Sequence, residues 1–170
     1  MTLRGDGRPV PTPAGPGQES VWDYPRPPRV EAVPERLRVI VAGDVLAETV
    51  AGLRVLETAG APVYYFPRAD IRMERLVTSA RTSFCEWKGG ASYVTYDADG
   101  RRIENVGWTY AEPNPAYREI AGHIAFYAGR VDEAWVGDER ATPQPGDFYG
   151  GWITSRIVGP FKGGPGSAGW

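Results

Sequence analysis

Turn signals divide the sequence into short segments of alternating apolar and polar residues, and this pattern restricts the chain to a sheet structure. Residues 37–42 and 45–50 alternate on either side of Gly43-Asp44, as in a β-hairpin. A second tight turn, Asp97-Ala98-Asp99-Gly100, separates two further alternating segments. The only segments predicted as short helices are residues 70–76 and 116–121. Helices this short cannot cross over a parallel sheet, so we predict a mainly β, single-domain fold with an antiparallel sheet or half-open barrel.

The distribution of proline and glycine predicts three parts. Residues 1–34 contain eight of the sixteen prolines and are predicted to form an extended N-terminal arm. In this arm Trp22 and Tyr24 either anchor onto the domain or a second subunit, or are exposed aromatics of a flexible segment. Residues 35–137 form the β-rich core domain. Residues 138–170 are rich in glycine and proline but also carry many apolar side chains, Trp152 among them, so this extension is predicted to wrap back over the core.

Composition argues against several classes of function. A single cysteine and a single histidine allow no internal disulfide and no zinc site built from cysteine and histidine, and we expect no metal or cofactor. The net charge of −2 and the scattered arginines argue against a nucleic-acid partner. No apolar run approaches the roughly 18 residues of a membrane span, and the N-terminus lacks the hydrophobic stretch of a signal peptide. We therefore expect a cytoplasmic protein without membrane association.

The two lysines are the most unusual chemical feature of the sequence. All the other basic residues among the nineteen are arginine, and Lys88 and Lys162 both follow an aromatic residue and precede Gly-Gly. An ammonium group is compact and its pKa shifts readily on burial, while glycines expose backbone N–H groups to a ligand. A functional role for Lys88 and a structural one, in which it extends from a strand end beside a Gly89-Gly90 bulge, both remain open. No second feature supports a role for Lys162.

Pairing across the 97–100 turn predicts a pocket around Lys88. It brings this lysine near residues 108–110, where Tyr65 and Tyr93 could complete a wall of aromatic rings. An ordinary aromatic core cluster is the alternative interpretation. The predicted ligand-binding residues are Tyr65, Lys88, Gly89, Tyr93, Trp108 and Tyr110.

Catalysis by Lys88 or Cys85, as in a hydrolase or transferase, is a second hypothesis. A nucleophilic thiolate needs a nearby cation or base, and Lys88 or His123 could serve. Residues three apart in an extended segment point to opposite faces, however, so Cys85 and Lys88 are not expected to share a surface unless Gly89-Gly90 form a bulge. A lone cysteine is also more often a small buried apolar residue.

Four segments of the core resemble the family called domain of unknown function 427 (DUF427), and the two flanking parts resemble its longer, actinobacterial-type members. The segments are Tyr64-Tyr65-Phe66-Pro67-Arg68-Ala69-Asp70-Ile71, Cys85-Glu86-Trp87-Lys88-Gly89-Gly90-Ala91-Ser92-Tyr93, Gly107-Trp108-Thr109-Tyr110-Ala111-Glu112-Pro113, and residues 120–127.

This resemblance implies a small β-tent-like fold, similar to that of methionine sulfoxide reductase B and of zinc-bearing chaperone-like domains. Those proteins often carry Cys-x-x-Cys zinc ligands, which are missing here, so neither zinc nor reductase chemistry is transferred to this chain. The resemblance leaves function open, and the residues suggest three hypotheses: binding of a small anionic or carbonyl ligand, catalysis through Lys88 or Cys85, and self-association as a homodimer through the terminal arms.

Overall fold

The computed structural model describes residues 2–170 and consists mainly of short strands. They are β1 (Glu19–Ser20), β2 (Arg29–Ala32), β3 (Leu37–Val41), β4 (Asp44–Thr49), β5 (Leu53–Leu56), β6 (Val63–Phe66), β7 (Leu76–Cys85), β8 (Gly89–Ala98), β9 (Arg101–Thr109), β10 (Ile124–Phe126), β11 (Glu133–Val136), β12 (Glu139–Arg140), β13 (Thr142–Pro143), β14 (Trp152–Ile153) and β15 (Ile157–Val158). The helical elements are 3₁₀ turns at Val21–Asp23, Arg68–Asp70, Met73–Arg75 and Pro115–Ile120.

Two antiparallel sheets pack against each other around the main core. One has seven strands in the order β2-β5-β6-β10-β9-β8-β7, and the other has four in the order β12-β11-β3-β4. Leu37 and Val39 of the smaller sheet are fully buried, in one cluster with Phe66 and Phe126 of the larger. Neither sheet closes into a barrel. The prediction of a mainly β, antiparallel, single-domain fold is confirmed.

The seven-stranded sheet also buries side chains on its other face. Successive residues of a strand point to opposite faces, so Tyr64 and Phe66 enter the main core while Tyr65 points away from it. Tyr93 and Trp108 lie in the same second cluster as Tyr65. This aromatic face, and not the main core, positions the candidate site.

The N-terminal segment takes a larger part in the fold than its proline content predicts. Strand β1 pairs in parallel with β15, and β2 adds an edge strand to the seven-stranded sheet beside β5. Val21 is fully buried, and the Trp22 Nε1–H donates to the carbonyl oxygen of Pro160 at 3.0 Å. Residues 19–32 therefore form strands and a 3₁₀ turn instead of an extended arm, because their apolar residues pack against β5 and the C-terminal extension.

The C-terminal extension lies against the core. Trp152 is fully buried and its Nε1–H donates to the carbonyl oxygen of Phe126 at 2.8 Å. Its ring lies 5.1 Å from that of Tyr64. The short strands β13 and β14 pair with each other, so this glycine-rich segment satisfies part of its own backbone.

The predicted helix over residues 70–76 is wrong. Two separate 3₁₀ turns occupy this region, and Ile71 between them is extended and forms a β-bridge with Ala47. The Asp70 carboxylate accepts a hydrogen bond from the Thr49 hydroxyl at 2.7 Å and caps no helix. Burial of the Ile71 side chain in the main core outweighs the local helical tendency.

Asp132 fixes the turn that joins β3 to β4 and provides a test of the fold by pH. Its carboxylate accepts hydrogen bonds from the Arg101 guanidinium at 2.6 and 2.8 Å and from the Ala42 N–H at 2.7 Å. These contacts, of which the Arg101 hydrogen bond has the largest effect, lower the pKa of Asp132 to about 2. The folded state therefore favours the ionised form, and this stabilisation is present above the ordinary aspartate pKa near 3.8 and is lost as pH falls toward 2.

We expect Asp132→Asn to lower the free energy of unfolding by up to about 1 kcal/mol near neutral pH, because the ion pair is partly exposed. The difference in the free energy of unfolding between this variant and the wild type should shrink as the pH falls from about 3.8, the ordinary aspartate pKa, to about 2, the pKa of folded Asp132. Urea denaturation over a pH series measures this, with Asp97→Asn, beside Arg102 on the surface, as the matched control. A destabilisation of the same size at every pH would contradict the assigned pKa.

Candidate functional site

A cavity of about 480 Å³ lies on the aromatic face of the seven-stranded sheet. Its floor is formed by buried rings and its mouth by exposed ones: Phe84 is 76% exposed and Phe148 is 56% exposed. Charged side chains of both signs also line it, namely Lys88, Lys162, Glu57 and Glu86.

The strand register places the floor residues in one row. Tyr65 on β6 lies opposite Ala125 on β10, Ala125 lies opposite Trp108 on β9, and Trp108 lies opposite Tyr93 on β8. The small side chain of Ala125 separates two large rings, and the Trp108 Nε1–H donates to the Tyr65 hydroxyl oxygen across it at 3.2 Å. The row is therefore rigid, and its aromatic side chains line the base of the cavity.

One floor hydroxyl has no partner among residues 2–170. Tyr93 donates to the Ser83 hydroxyl at 3.0 Å and Tyr127 donates to the Phe148 carbonyl oxygen at 3.2 Å. The Tyr110 hydroxyl makes no such bond to these residues. Burial raises the pKa of Tyr110 above its ordinary value, with smaller contributions from neighbouring groups such as Tyr65. Tyr110 therefore keeps its proton and can donate a hydrogen bond to a molecule in the cavity.

Lys88 lies in the three-residue turn that joins β7 to β8. Its Nζ is 5.8 Å from the centre of the Tyr110 ring, and it forms no ion pair with any residue in the described range. Asn114 holds this turn: its N–H donates to the Lys88 carbonyl at 2.9 Å and its side-chain amide donates to the Trp87 carbonyl at 2.8 Å. The ammonium group thus projects into the cavity from a fixed backbone.

Of the six residues predicted to bind a ligand, five line this one cavity and Gly89 does not. Tyr65, Lys88, Tyr93, Trp108 and Tyr110 meet there. Gly89 is buried against Asn114, whose Oδ1 would be 3.5 Å from a Cβ at that position, and its φ of +105° requires glycine. Gly89 therefore shapes the turn under Lys88 and offers no N–H group to the cavity.

Cys85 lies in the same cavity as Lys88, although the two were expected to face opposite ways unless Gly89-Gly90 formed a bulge. They share the cavity because residues 86–88 form a turn, and Cys85 pairs with Gly89 across it. His123 is not among the lining residues, and its Nδ1 lies 3.3 Å from the carbonyl oxygen of Ala121. The cavity thus brings together one thiol and two amines without an imidazole.

Lys162 is the site residue to which sequence reasoning gave least weight. It comes from the C-terminal extension, and its Nζ lies 4.8 Å from the centre of the Tyr149 ring. Burial, opposed in part by the negative charge of Glu57, lowers its pKa below the ordinary lysine value. The signal that could have found it is the aromatic-Lys-Gly-Gly frame that it shares with Lys88.

The extension also supplies a wall of the cavity at Phe148, Tyr149 and Gly150. A Cβ at Gly150 would overlap the Trp108 ring, so this close approach of backbone to ring requires glycine. The sequence alone gives no sign of this contact, because the two positions are 42 apart in the chain.

A larger cleft of about 670 Å³ lies elsewhere, beside Arg54 and Arg156. Both of its arginines are paired, Arg54 with Glu19 and Glu31 and Arg156 with Glu35, while Asp138 and Glu139 add further negative charge. Among the described residues this cleft therefore has no unpaired cation to offer an acidic ligand, in contrast to the aromatic cavity. Within residues 2–170, no three acidic, histidine or cysteine side chains are grouped to hold a metal ion, and no helix is long and apolar enough to span a membrane.

Fold and site together define an antiparallel β protein with an aromatic, amine-bearing cavity on the outer face of its larger sheet. The sequence profile of the family described as Domain of unknown function (DUF427) matches residues 29–137, which is more than half of the chain. The chain therefore belongs to the DUF427 family, and the resemblance of its four core segments to this family is confirmed. No curated protein matches the chain. The wall formed by residues 148–150 and Lys162 lies outside the matched residues.

Proposed function

We propose that this protein binds a small molecule carrying a carboxylate or carbonyl group in the aromatic cavity. One observation carries the proposal: the ammonium of Lys88 and the protonated hydroxyl of Tyr110 lie at the same cavity, and neither has a partner in the described chain. An acceptor group placed between them would satisfy both donors.

The physical gain from such a ligand is substantial. A hydrogen bond to a charged group contributes about 1.5–3 kcal/mol, and the buried rings of Tyr65 and Trp108 offer apolar contact to a flat body. The volume lies within the range of small-molecule sites. Glu57 and Glu86 also line the cavity, so its charge suits one acid or carbonyl group better than a polyanion.

We expect Lys88→Ala to weaken binding by about tenfold to a hundredfold, which is the hydrogen-bond energy converted to a dissociation constant. Thermal-shift screening of a panel of small carboxylates and carbonyl compounds identifies ligands, and calorimetry then compares the variants. Arg118→Ala is the matched control, since it removes an exposed positive charge away from the cavity. Equal affinity in Lys88→Ala and wild type for every ligand of the panel would refute the assignment of this site.

Catalysis by Cys85 or Lys88 is a second candidate, favoured by the presence of a thiol and an amine in one cavity. A reactive Cys85 should be alkylated in the folded protein at a rate that exceeds that of a small thiol at neutral pH. Alkylation only after unfolding would leave Cys85 a structural residue.

Two further proposals have weaker support. The unpaired Cys85 suits a reducing compartment such as the cytoplasm. Self-association through the arms has little in its favour, because the Trp22 ring packs within the chain at 5.9 Å from Trp170.

A further inference from the structure

We propose that Lys162 condenses reversibly with the aldehyde or ketone group of an oxo acid whose carboxylate is held by Lys88. The inference rests on the proposed binding function and extends it to the class of ligand and to a covalent step. Its basis is that the cavity contains two amines from different parts of the chain, and that neither forms an ion pair with any of residues 2–170.

Hydrogen bonds fix the backbone of Lys162 on both sides of its Cα atom. Its N–H donates to the Ala59 carbonyl oxygen at 2.9 Å, and its own carbonyl oxygen accepts from the Gln144 side-chain amide at 3.0 Å. The side chain is half-buried and its Nζ lies over the Tyr149 ring. A fixed, partly desolvated amine at a cavity wall is the arrangement in which lysine acts as a nucleophile.

Burial of Lys162, more than the charges around it, favours its neutral amine. Burial is the largest influence on its pKa and lowers it, and the positive charges of Arg26 and Lys88 lower it further. Glu57 and Cys85 act in the opposite direction without cancelling the effect. A larger fraction of Lys162 than of a free lysine is therefore unprotonated near neutral pH.

The condensation needs only the amine, the ligand carbonyl and solvent water, which reaches the open mouth of the cavity. The neutral Nζ attacks the carbonyl carbon, a C–N bond forms, and the carbonyl electron pair moves to oxygen, which takes a proton from water. The nitrogen of this carbinolamine loses a proton to the hydroxide so formed. The hydroxyl group is then protonated by water, the nitrogen lone pair forms the C=N bond as the C–O bond breaks, and the released water is accompanied by loss of the last proton on nitrogen to hydroxide. The product is an imine on Lys162, and the reverse steps hydrolyse it.

The two amines contact different groups of the ligand. Lys88 and Tyr110 offer donors to a carboxylate, and Lys162, from the extension, meets the carbonyl carbon. The rings of Tyr65 and Trp108 lie beneath the space between them and suit a flat, apolar body. An oxo acid with an aromatic or unsaturated body therefore fits better than a simple aldehyde.

Borohydride trapping on the full chain tests this step. Wild type is incubated near neutral pH with para-carboxybenzaldehyde and sodium cyanoborohydride, and peptide mass spectrometry locates the adduct. Lys88 and Lys162 are the only lysines of the sequence, so the α-amino group is the third amine that can react. Its labelling serves as the internal reference for an ordinary exposed amine. In the wild type we expect at least tenfold more adduct on Lys162 than on Lys88, and in Lys162→Arg we expect none at position 162. In Lys88→Ala the yield of adduct on Lys162 should fall for para-carboxybenzaldehyde. It should not fall for benzaldehyde, which lacks the acid group.

A second probe separates the failure of this inference from that of the binding function. para-Carboxybenzyl alcohol has the acid but no carbonyl to condense, and calorimetry should show that it binds wild type and Lys162→Arg with dissociation constants within about threefold of each other. Such binding without an adduct on Lys162 overturns the condensation and leaves the binding function in place. An adduct spread evenly over Lys88, Lys162 and the α-amino group also overturns it.

Discussion

Replacing Trp152 with alanine is expected to lower the free energy of unfolding by about 3–5 kcal/mol, as is typical of a large aromatic removed from a core. The indole is fully buried against Tyr64 and Phe66, and its N–H bond to the Phe126 carbonyl would be lost with it. Chemical denaturation measures the change. Phe148→Ala, an exposed aromatic of the same extension, should cost less than about 1 kcal/mol and is the matched control.

The same substitution has a consequence for the site. Trp152 follows Gly150 by two residues, and the extension it anchors also carries Lys162. We therefore expect Trp152→Ala to lose the selective labelling of Lys162 under conditions in which the variant is still folded. Stability and labelling equal to those of the wild type would show that the extension is not part of the folded unit.

Replacing Gly150 with alanine is expected to cost about 1–3 kcal/mol of stability and to abolish detectable ligand binding. A methyl group at this position overlaps the Trp108 ring, which cannot retreat because Tyr65 and Tyr127 pack against it. The ring must therefore shift toward the cavity or the extension must move away from it. Denaturation and calorimetry on the same preparation measure the two effects.

Gly90→Ala is the control for this prediction. Gly90 lies two residues from Lys88 on an exposed part of β8, and a Cβ there meets nothing within 4 Å. It should leave stability within about 0.5 kcal/mol of the wild type and leave affinity unchanged. Stability and affinity in Gly150→Ala equal to those in Gly90→Ala would contradict the packing of the extension on Trp108.

Local patterns were sufficient to predict an antiparallel sheet and the part of the cavity that its β8–β9 hairpin forms. The alternation in residues 91–97 and 101–110 predicts the β8–β9 hairpin, and the hairpin register sets Tyr93 opposite Trp108. Proximity in the hairpin then accounts for Tyr110 near Lys88. These are contacts between segments close in sequence, for which a turn fixes the geometry.

Contacts between distant segments could not be predicted in this way. Proline content indicated an arm before residue 34, yet Val21 is buried beside Ile157, because a short apolar segment needs only one matching partner to join a core. Lys162 reaches the cavity through a glycine-rich segment whose path no periodic pattern encodes. Gly89 was assigned to a ligand because its exposed N–H was inferred, whereas its role is set by a positive φ and by Asn114.

The most direct test of the central claim, that the aromatic cavity with Lys88 is a ligand site, uses the rarity of lysine in this chain. Protein labelled with NMR-active carbon at lysine Cε gives two side-chain signals, which the Lys88→Ala and Lys162→Arg variants assign. Titration with the panel compound that gives the largest thermal shift should move both signals to saturation with a single dissociation constant. A compound that binds by calorimetry while the Lys88 signal stays in place would contradict the claim.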